Sequence, residues 1–507
     1  MSEMMSEERV KTVSELVSEP LDVLVVGGGI VGTGIARDAA MRGLRVGLVE
    51  QHDFAFGTSS RSSRLLHGGL RYLAQGRIGL VREASIEKRI VHALAPHICQ
   101  PLAFVLPTYR GMPWAPWALW KLRIGVRIYD WLCGGRNFGN SSSMKPGQVV
   151  DYLPGVNDRN LTGAVRYFDG LTNDARLTID TLRSAAKAGA KVLNYCKLET
   201  ARHESGKWHC RLEDRVSGDE VSIISRCVVN ATGPWGGQFK QSTIPLRLTK
   251  GIHLVVERFR LPIPDAVVMT EGKRILFAIP WGERVILGTT DTDYDGSLDE
   301  VFADPDDVSY VLGVVNEAFP RASLTTEDIV STWAGLRPLI ADPNGRPSDI
   351  SRSHEIRMSE PGWYNVAGGK LTTYRLMAEQ TVDQIVRYLG RGRVPCNTAA
   401  TPLLEPLEVE NLSGIVPPPV SARAVEHYCR REWAIHLDDV MIRRAGWHYY
   451  RRQAEGIADQ VVRWMAETLG WDAARQAAEI QQYRRQVGRS SPAGADRRLP
   501  VETGVRA

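Results

Sequence analysis

The stretch LDVLVVGGGIVGTGIARDAA, residues 21–40, constrains the fold more than any other part of the chain. Leu21 to Val26 is rich in Val and Leu, as suits a parallel strand buried on both faces. Gly27, Gly29 and Gly32 follow with G-x-G-x-x-G spacing. The first glycine permits a tight turn, the second lets a pyrophosphate approach the backbone, and the third lets the next helix pack against the sheet. That helix is expected over Ile30 to Arg42, with its positive N-terminus toward the anion. A second apolar strand, Leu44 to Val49, ends in Glu50. This acid lies roughly 20 residues past the glycines, where a carboxylate binds ribose hydroxyls. Strand, glycines, helix, strand and acid, in that order, point to an ADP-containing dinucleotide in a Rossmann-like α/β subdomain.

The rest of the chain does not continue as a regular alternation of strands and helices. A loop dense in Ser, Gly, Arg and His, FAFGTSSRSSRLLHGGLRYLAQG, occupies residues 54–76. A second glycine turn, Ala231-Thr232-Gly233, ends the apolar run CVVNA at 227–231. A third strand–glycine–helix unit, WYNVAGGKLTTYRLMAEQTVDQIVRYL, comes at 363–389. Nucleotide-binding signals therefore stand at the start, middle and end of one region. Such a nucleotide domain, interrupted by insertions, is the plan of large FAD oxidoreductases.

A chain of 507 residues can bury two or three cores. Its formal charge of +5, from 63 Lys and Arg against 58 Asp and Glu, admits anionic substrates or an anionic membrane surface. No nucleic-acid-binding motif accompanies it, and no metal-ligand pattern stands out. Seven scattered cysteines without C-x-x-C spacing suit reduced thiols in a cytoplasmic protein. The polar N-terminus, residues 1–19, reads as a flexible segment and residues 490–507 as a disordered tail. No stretch reads as a signal peptide or as a membrane span.

The motifs VVGGGIVGTGIARDAA, TSSRSSRLLHGGLRYL, VNATGPW, PWGERVILGTTDTDY, AGLRPL and AGGKLTTYR together closely resemble those of the FAD-dependent, quinone-linked aerobic glycerol-3-phosphate dehydrogenases. The resemblance runs over about residues 20–385. It implies an FAD-dependent oxidoreductase core over 20–400. FAD-binding segments are expected at 20–75, 170–240 and 350–390, with an interleaved substrate-covering α/β subdomain at 76–169 and 241–349. A helical C-terminal cap is expected over 401–489. It also implies oxidation of glycerol 3-phosphate to dihydroxyacetone phosphate. Electrons would pass through FAD to a membrane quinone, at the inner face of the cell membrane.

Oxidising a secondary alcohol with a flavin requires the carbon-bound hydrogen to face the flavin, a base for the hydroxyl proton, and cations for the phosphate. By resemblance, Arg71, Arg337, Arg352, Lys370, Tyr72 and His253 hold the substrate. His67 and His253 are the two candidate bases. The reading favours His253 for proton abstraction and leaves His67 beside the flavin. Around FAD, Gly27, Gly29, Gly32 and Glu50 take the pyrophosphate and ribose, and Thr58, Ser59 and Ser60 can donate to phosphate and flavin oxygens. Ala231, Thr232 and Gly233 let the backbone approach. The turn Gly368, Gly369, Lys370, Leu371 and Thr372 starts a helix expected to face the flavin, with Thr372 and Thr373 as its caps.

The stretch MPWAPWALWKLRIGVRIYDWL, 112–132, joins Trp114, Trp117, Trp120 and Trp131 to Lys121, Arg123 and Arg127. Tryptophan with cations marks a membrane interface, although an amphipathic helix packed on the substrate subdomain would read the same way. The cap departs from the family pattern. Residues 402–429 read as a linker in place of helix, leaving dimerisation open. Arg430, Arg431, Arg443, Arg444, Arg451 and Arg452 would either meet anionic lipid or form a solvated face. Three other functions fit parts of the sequence: a glycerol-3-phosphate oxidase using oxygen, an amine or amino-acid oxidase, and a flavin-binding protein without turnover. Several phosphate-binding cations in place of one carboxylate anchor argue against the amino-acid oxidase.

Overall fold

The computed structural model describes residues 3–73, 76–111, 118–135, 137–272, 274–341, 354–392 and 394–490. Two sheets organise it. In the first, Leu21–Val26 is central, flanked in parallel by Val46–Val49 and Glu220–Asn230. Lys191–Leu193 and Trp363–Gly368 extend it in parallel on either side, and His354–Glu360 closes one edge antiparallel. Leu21–Val26 and Val46–Val49 are buried at every position. Such continuous burial is the mark of a sheet covered on both faces. Helices Ile30–Met41, Asp174–Lys187 and Tyr374–Tyr388 share one core with this sheet through Ile35, Ile179 and Ile385. The ribbon of Cys196–Glu204 and Lys207–Asp214 instead carries one solvated face, and Lys207–Asp214 alternates exposed and buried throughout.

The second sheet is largely antiparallel. Leu246–Glu257 pairs with Arg284–Gly288 and Ile329–Ile340, while Cys99–Tyr109 pairs with Leu161–Thr172. Helix Pro305–Ala318 packs against it through Val308, Val311 and Val315. Short Leu65–Leu66 also belongs to this sheet, through Leu171 and Gly170, so the Ser-rich loop leads directly from one sheet into the other.

Two regions depart from the sequence reading. Residues Glu3–Val17, expected to be flexible, form a helix. Leu16 is fully buried, and Arg9 pairs with Asp214 at 2.7 Å. One or two apolar anchors in a polar stretch leave little periodic signal, and the partner carboxylate lies some two hundred residues away. Residues 402–429, read as a linker, end in helix Ala422–Arg431, which is N-capped by Ser421 through the amide of Ala424. This helix joins Ala454–Leu469 and Ala473–Ser490 in the cap, around Tyr428, Trp447, Val461 and Tyr483.

Arg443 and Arg444 do not face solvent or lipid. Both are buried and converge on Asp53, close behind Glu50 in the nucleotide subdomain. Arg444 grips Asp53 with two nitrogens at 2.7 and 2.8 Å, and Arg443 also binds Asp438 and Asp439 at 2.6 Å. The paired guanidiniums hold the Asp53 carboxyl down at about 2 despite its burial. Arg430, Arg431 and Arg452 are exposed.

Candidate active site

The loops leaving the first sheet and the strands of the second line a cavity of about 480 Å³. Gly27 turns out of its strand at φ +113°, and a Cβ there would lie 2.6 Å from the Ala231 carbonyl oxygen. Gly32 does not line the cavity. A Cβ at that position would fall 1.9 Å from the Gly27 oxygen, so its absence lets the helix sit on the turn. Gly29 precedes helix Ile30–Met41 with no side-chain cap, leaving the helix end to the cavity and to Ser59 Oγ, which accepts from the Ile30 amide at 3.0 Å. The Glu50 carboxylate accepts from the amides of Gly28 at 2.7 Å and His52 at 2.9 Å. Burial raises its proton affinity, against those amides. Ala231, Thr232 and Gly233 line the same cavity, as do Thr58 and Ser59.

Two expectations for this end need correcting. Ser60 is buried away from the cavity wall, and the Thr58 hydroxyl donates to the Leu336 carbonyl at 2.6 Å. In a run of four serines and a threonine, sequence alone does not say which hydroxyls face inward.

Opposite stands the turn Gly368-Gly369, at φ +72° and +77°, with Lys370, Leu371 and Thr372 on the wall. Thr372 is not a helix cap. Its hydroxyl accepts from the His67 amide at 3.1 Å and so ties this turn to the His67-Gly68-Gly69 loop. Thr373 likewise makes no side-chain cap. Lys370 Nζ lies 4.0 Å above the Tyr72 ring, which joins those two predicted substrate residues. Arg71 lies on the short helix Leu70–Leu73, with its side chain outside the described residues. Arg352, Trp114 and Trp117 also lie outside the described residues.

His253 sits on Leu246–Glu257, opposite Gly288 on one neighbouring strand and Trp333 on the other. Gly288 leaves room for its ring, because a Cβ there would come within 2.6 Å of the imidazole. The ring stacks on Trp333 at 5.1 Å, and Nε2 lies 2.8 Å from Ser63 Oγ. Burial, with the guanidiniums of Arg337 and Arg64 nearby, holds this imidazole well below the ordinary histidine range. It is therefore neutral at pH 7. Arg337 is fixed by Thr289 Oγ1 at 3.0 Å and the Thr290 carbonyl at 3.1 Å, and Gly251 leaves space for its guanidinium.

Several residues in or behind the cavity wall carried no individual signal. Ser63 is one more serine of the loop, and Thr289-Thr290 belong to the GTTD motif without an assigned role. Arg64, buried between Trp281 at 4.2 Å and Trp333 at 5.1 Å, keeps a positive charge behind the histidine. Nothing in its sequence spacing separates it from a surface arginine.

Glycine turn, helix end, the half-buried acid Glu50 and a second glycine turn across the cavity form a cradle that fits a flavin dinucleotide, and fold and site together define an FAD-dependent oxidoreductase. A family model described as FAD dependent oxidoreductase matches residues 22–384. A second, described as the C-terminal domain of alpha-glycerophosphate oxidase, matches residues 410–476. The aerobic glycerol-3-phosphate dehydrogenase of Staphylococcus aureus (strain USA300) is 39% identical over 396 residues, 76% of this chain and 71% of that one. That of Staphylococcus epidermidis (strain ATCC 12228) is 40% identical over 377 residues, 73% and 67% of the two chains. The chain belongs to the family of aerobic glycerol-3-phosphate dehydrogenases, and its cofactor is FAD. The glycerol-3-phosphate dehydrogenase from Bacillus halodurans, solved with FAD, superposes with a TM-score of 0.78 at 29% identity, covering 98% of this chain and 99% of that one. The L-alpha-glycerophosphate oxidase from Mycoplasma pneumoniae shares the fold at a TM-score of 0.59 and 16% identity, covering 75% of this chain and 98% of that one.

Proposed function

We propose that the protein oxidises C2 of glycerol 3-phosphate to give dihydroxyacetone phosphate and hands the electrons to a quinone at the inner face of the cell membrane. The observation that carries the substrate reading is the meeting, in one cavity, of a neutral buried histidine with Arg337 and Lys370. A phosphate monoester is matched by a planar guanidinium fork and a second point charge. Arg337 supplies the fork, held in place by Thr289 and Thr290. Lys370 supplies the second charge, and Tyr72 lies beneath it. His253 takes the hydroxyl proton. Ser63 Oγ, a cavity-wall group already bonded to Nε2, is placed to relay that proton, taking the substrate's and giving its own to Nε2. FAD, when bound, accepts the two electrons of the alcohol. His67 would lie beside it, and Glu50 with the first glycines would hold its nucleotide half.

Support for the membrane side comes from helix Leu119–Leu132. Leu122, Val126, Tyr129 and Leu132 are buried against the second sheet's core. Trp120, Ile124, Ile128 and Trp131 form the opposite stripe, and Trp131 is 76% exposed. Lys121, Arg123 and Arg127 are exposed beside them. Interfacial aromatic and aliphatic side chains flanked by cations suit an anionic lipid surface. Among the described residues, no helix is long and apolar enough to cross a membrane.

Anaerobic stopped-flow absorbance with glycerol 3-phosphate tests the proposal. Bleaching of the flavin, followed by rapid reoxidation by a soluble quinone and slow reoxidation by oxygen, is the expected result. Rapid reoxidation by oxygen would make the protein an oxidase, and an unbleached flavin would overturn the substrate assignment.

A further inference from the structure

The helix that bears the exposed tryptophans also reaches the active-site loop from behind. Tyr129, on its inner face, is fully buried. Its hydroxyl accepts from the Gly68 amide at 2.9 Å and donates to Asp169 Oδ1 at 2.5 Å, and the same amide also reaches that Asp169 oxygen at 3.3 Å. Lys88 Nζ, also fully buried, donates to the same Asp169 oxygen at 2.8 Å and to Asn137 and the Phe168 carbonyl. Asp169 is itself on the cavity wall. Gly68 has no room for a side chain, because a Cβ would fall 2.4 Å from the Tyr129 hydroxyl and 2.5 Å from Ser85 Oγ.

This arrangement pins a loop at its midpoint. On one side of Gly68, His67 is tied to Thr372. On the other, the Tyr72 amide donates to the Gly69 carbonyl at 2.9 Å, closing the turn that carries Arg71 and Tyr72. A Cβ on Gly69 would lie 2.4 Å from the Tyr72 ring, so the loop backbone and that ring move together. The Tyr129 hydroxyl is used in both directions. The charged Asp169–Lys88 pair orients its proton, leaving a lone pair aimed at Gly68.

We propose that Tyr129, oriented by Asp169 and Lys88, is a positioning residue for the substrate loop. It fixes the Gly68 amide and thereby sets Tyr72 against Lys370, without touching substrate. The proposal rests on the reading of Tyr72 and Lys370 as substrate residues.

Tyr129→Phe removes one oxygen and keeps the ring in its packing. Losing the nearer of the two acceptors of the Gly68 amide, with only Asp169 Oδ1 left at 3.3 Å, should raise KM for glycerol 3-phosphate about five- to tenfold, with kcat changed less than about twofold. FAD content and melting temperature should stay close to those of the parent. Hydrogen exchange followed by mass spectrometry should show faster exchange in peptides covering 65–73 and unchanged exchange in the first sheet. An unchanged KM with unchanged exchange overturns the proposal, as does a drop in melting temperature with KM intact. Should Tyr129→Phe lose its FAD, Asp169→Asn, which keeps an acceptor for the tyrosine but removes the charge, is expected to give the same KM and exchange pattern at smaller size; a parental pattern there overturns it. Faster loop exchange in a protein whose parent does not turn over glycerol 3-phosphate would sink the substrate reading and leave the role of Tyr129 in the loop standing.

Discussion

His253 illustrates how much a residue's chemistry depends on what surrounds it. Free histidine titrates near neutrality. Here the ring is buried, stacked on Trp333, and close to two guanidiniums that disfavour its protonated form. The sign of the effect follows directly. Removing a nearby positive charge makes the imidazolium less unfavourable and moves the histidine up toward its ordinary range. Arg337→Met should therefore shift the acid limb of the single-turnover flavin-reduction rate to higher pH, raise KM for glycerol 3-phosphate by about tenfold or more and leave FAD bound. A pH profile that stays where it was would show that His253 does not set the limb. The family resemblance named His253, but Ser63 and Arg64, which touch or charge it, were invisible. Their side chains come from a loop of repeated Ser and Arg, and only the fold decides which of them turn inward.

Among the elements, strand–glycine–helix units were the most legible, because the same residues must satisfy both the turn and the phosphate. Leu21–Val26 and helix Ile30–Met41 lie within a residue or so of where the sequence puts them. Caps were less legible. Thr372 has the right residue type and position for a helix cap, yet its hydroxyl serves the His67 backbone. Arg443 and Arg444 were misread for a related reason. A pair of adjacent arginines in a polar stretch resembles a solvated face until its buried acid, nearly four hundred residues earlier, is brought beside it. Breaking such a buried cluster on one side typically costs about 3–5 kcal/mol. Asp53→Asn leaves Arg444 without its carboxylate while Arg443 keeps Asp438 and Asp439. On heating the holoprotein, flavin fluorescence should rise several degrees earlier than in the parent. Release at the parental temperature would mean that the clamp does not stabilise the nucleotide end.

At the scale of the whole molecule, the interrupted nucleotide subdomain was legible because its cofactor motifs recur at three separated places, whereas the second sheet was implied only by the resemblance. The N-terminal helix and helix Ala422–Arg431 were not legible, since each is held by contacts with distant parts of the chain. Membrane docking is a property of the entire surface and is tested as such. Sedimentation with anionic phospholipid vesicles should carry the protein down at low salt, and Trp120→Ser with Trp131→Ser should abolish this without altering turnover of glycerol 3-phosphate with a soluble quinone. Cosedimentation unaffected by the double substitution would move the lipid contact elsewhere.

The position of Leu21–Val26 also bears on how the molecule is made. The strand lies at the centre of its sheet, yet its partner Glu220–Asn230 is translated some two hundred residues after it. The cavity wall needs residues as late as Gly368 to Thr372 and Met377. FAD thus has no complete seat until the segment up to Met377 has been synthesised, and the apolar edge of the first strand waits unpaired through much of that time. Non-local parallel pairing of this kind is slow and exposed to aggregation. Bound flavin can stabilise the fold only once that late segment has emerged, so the earlier stretch of synthesis passes without the cofactor's help.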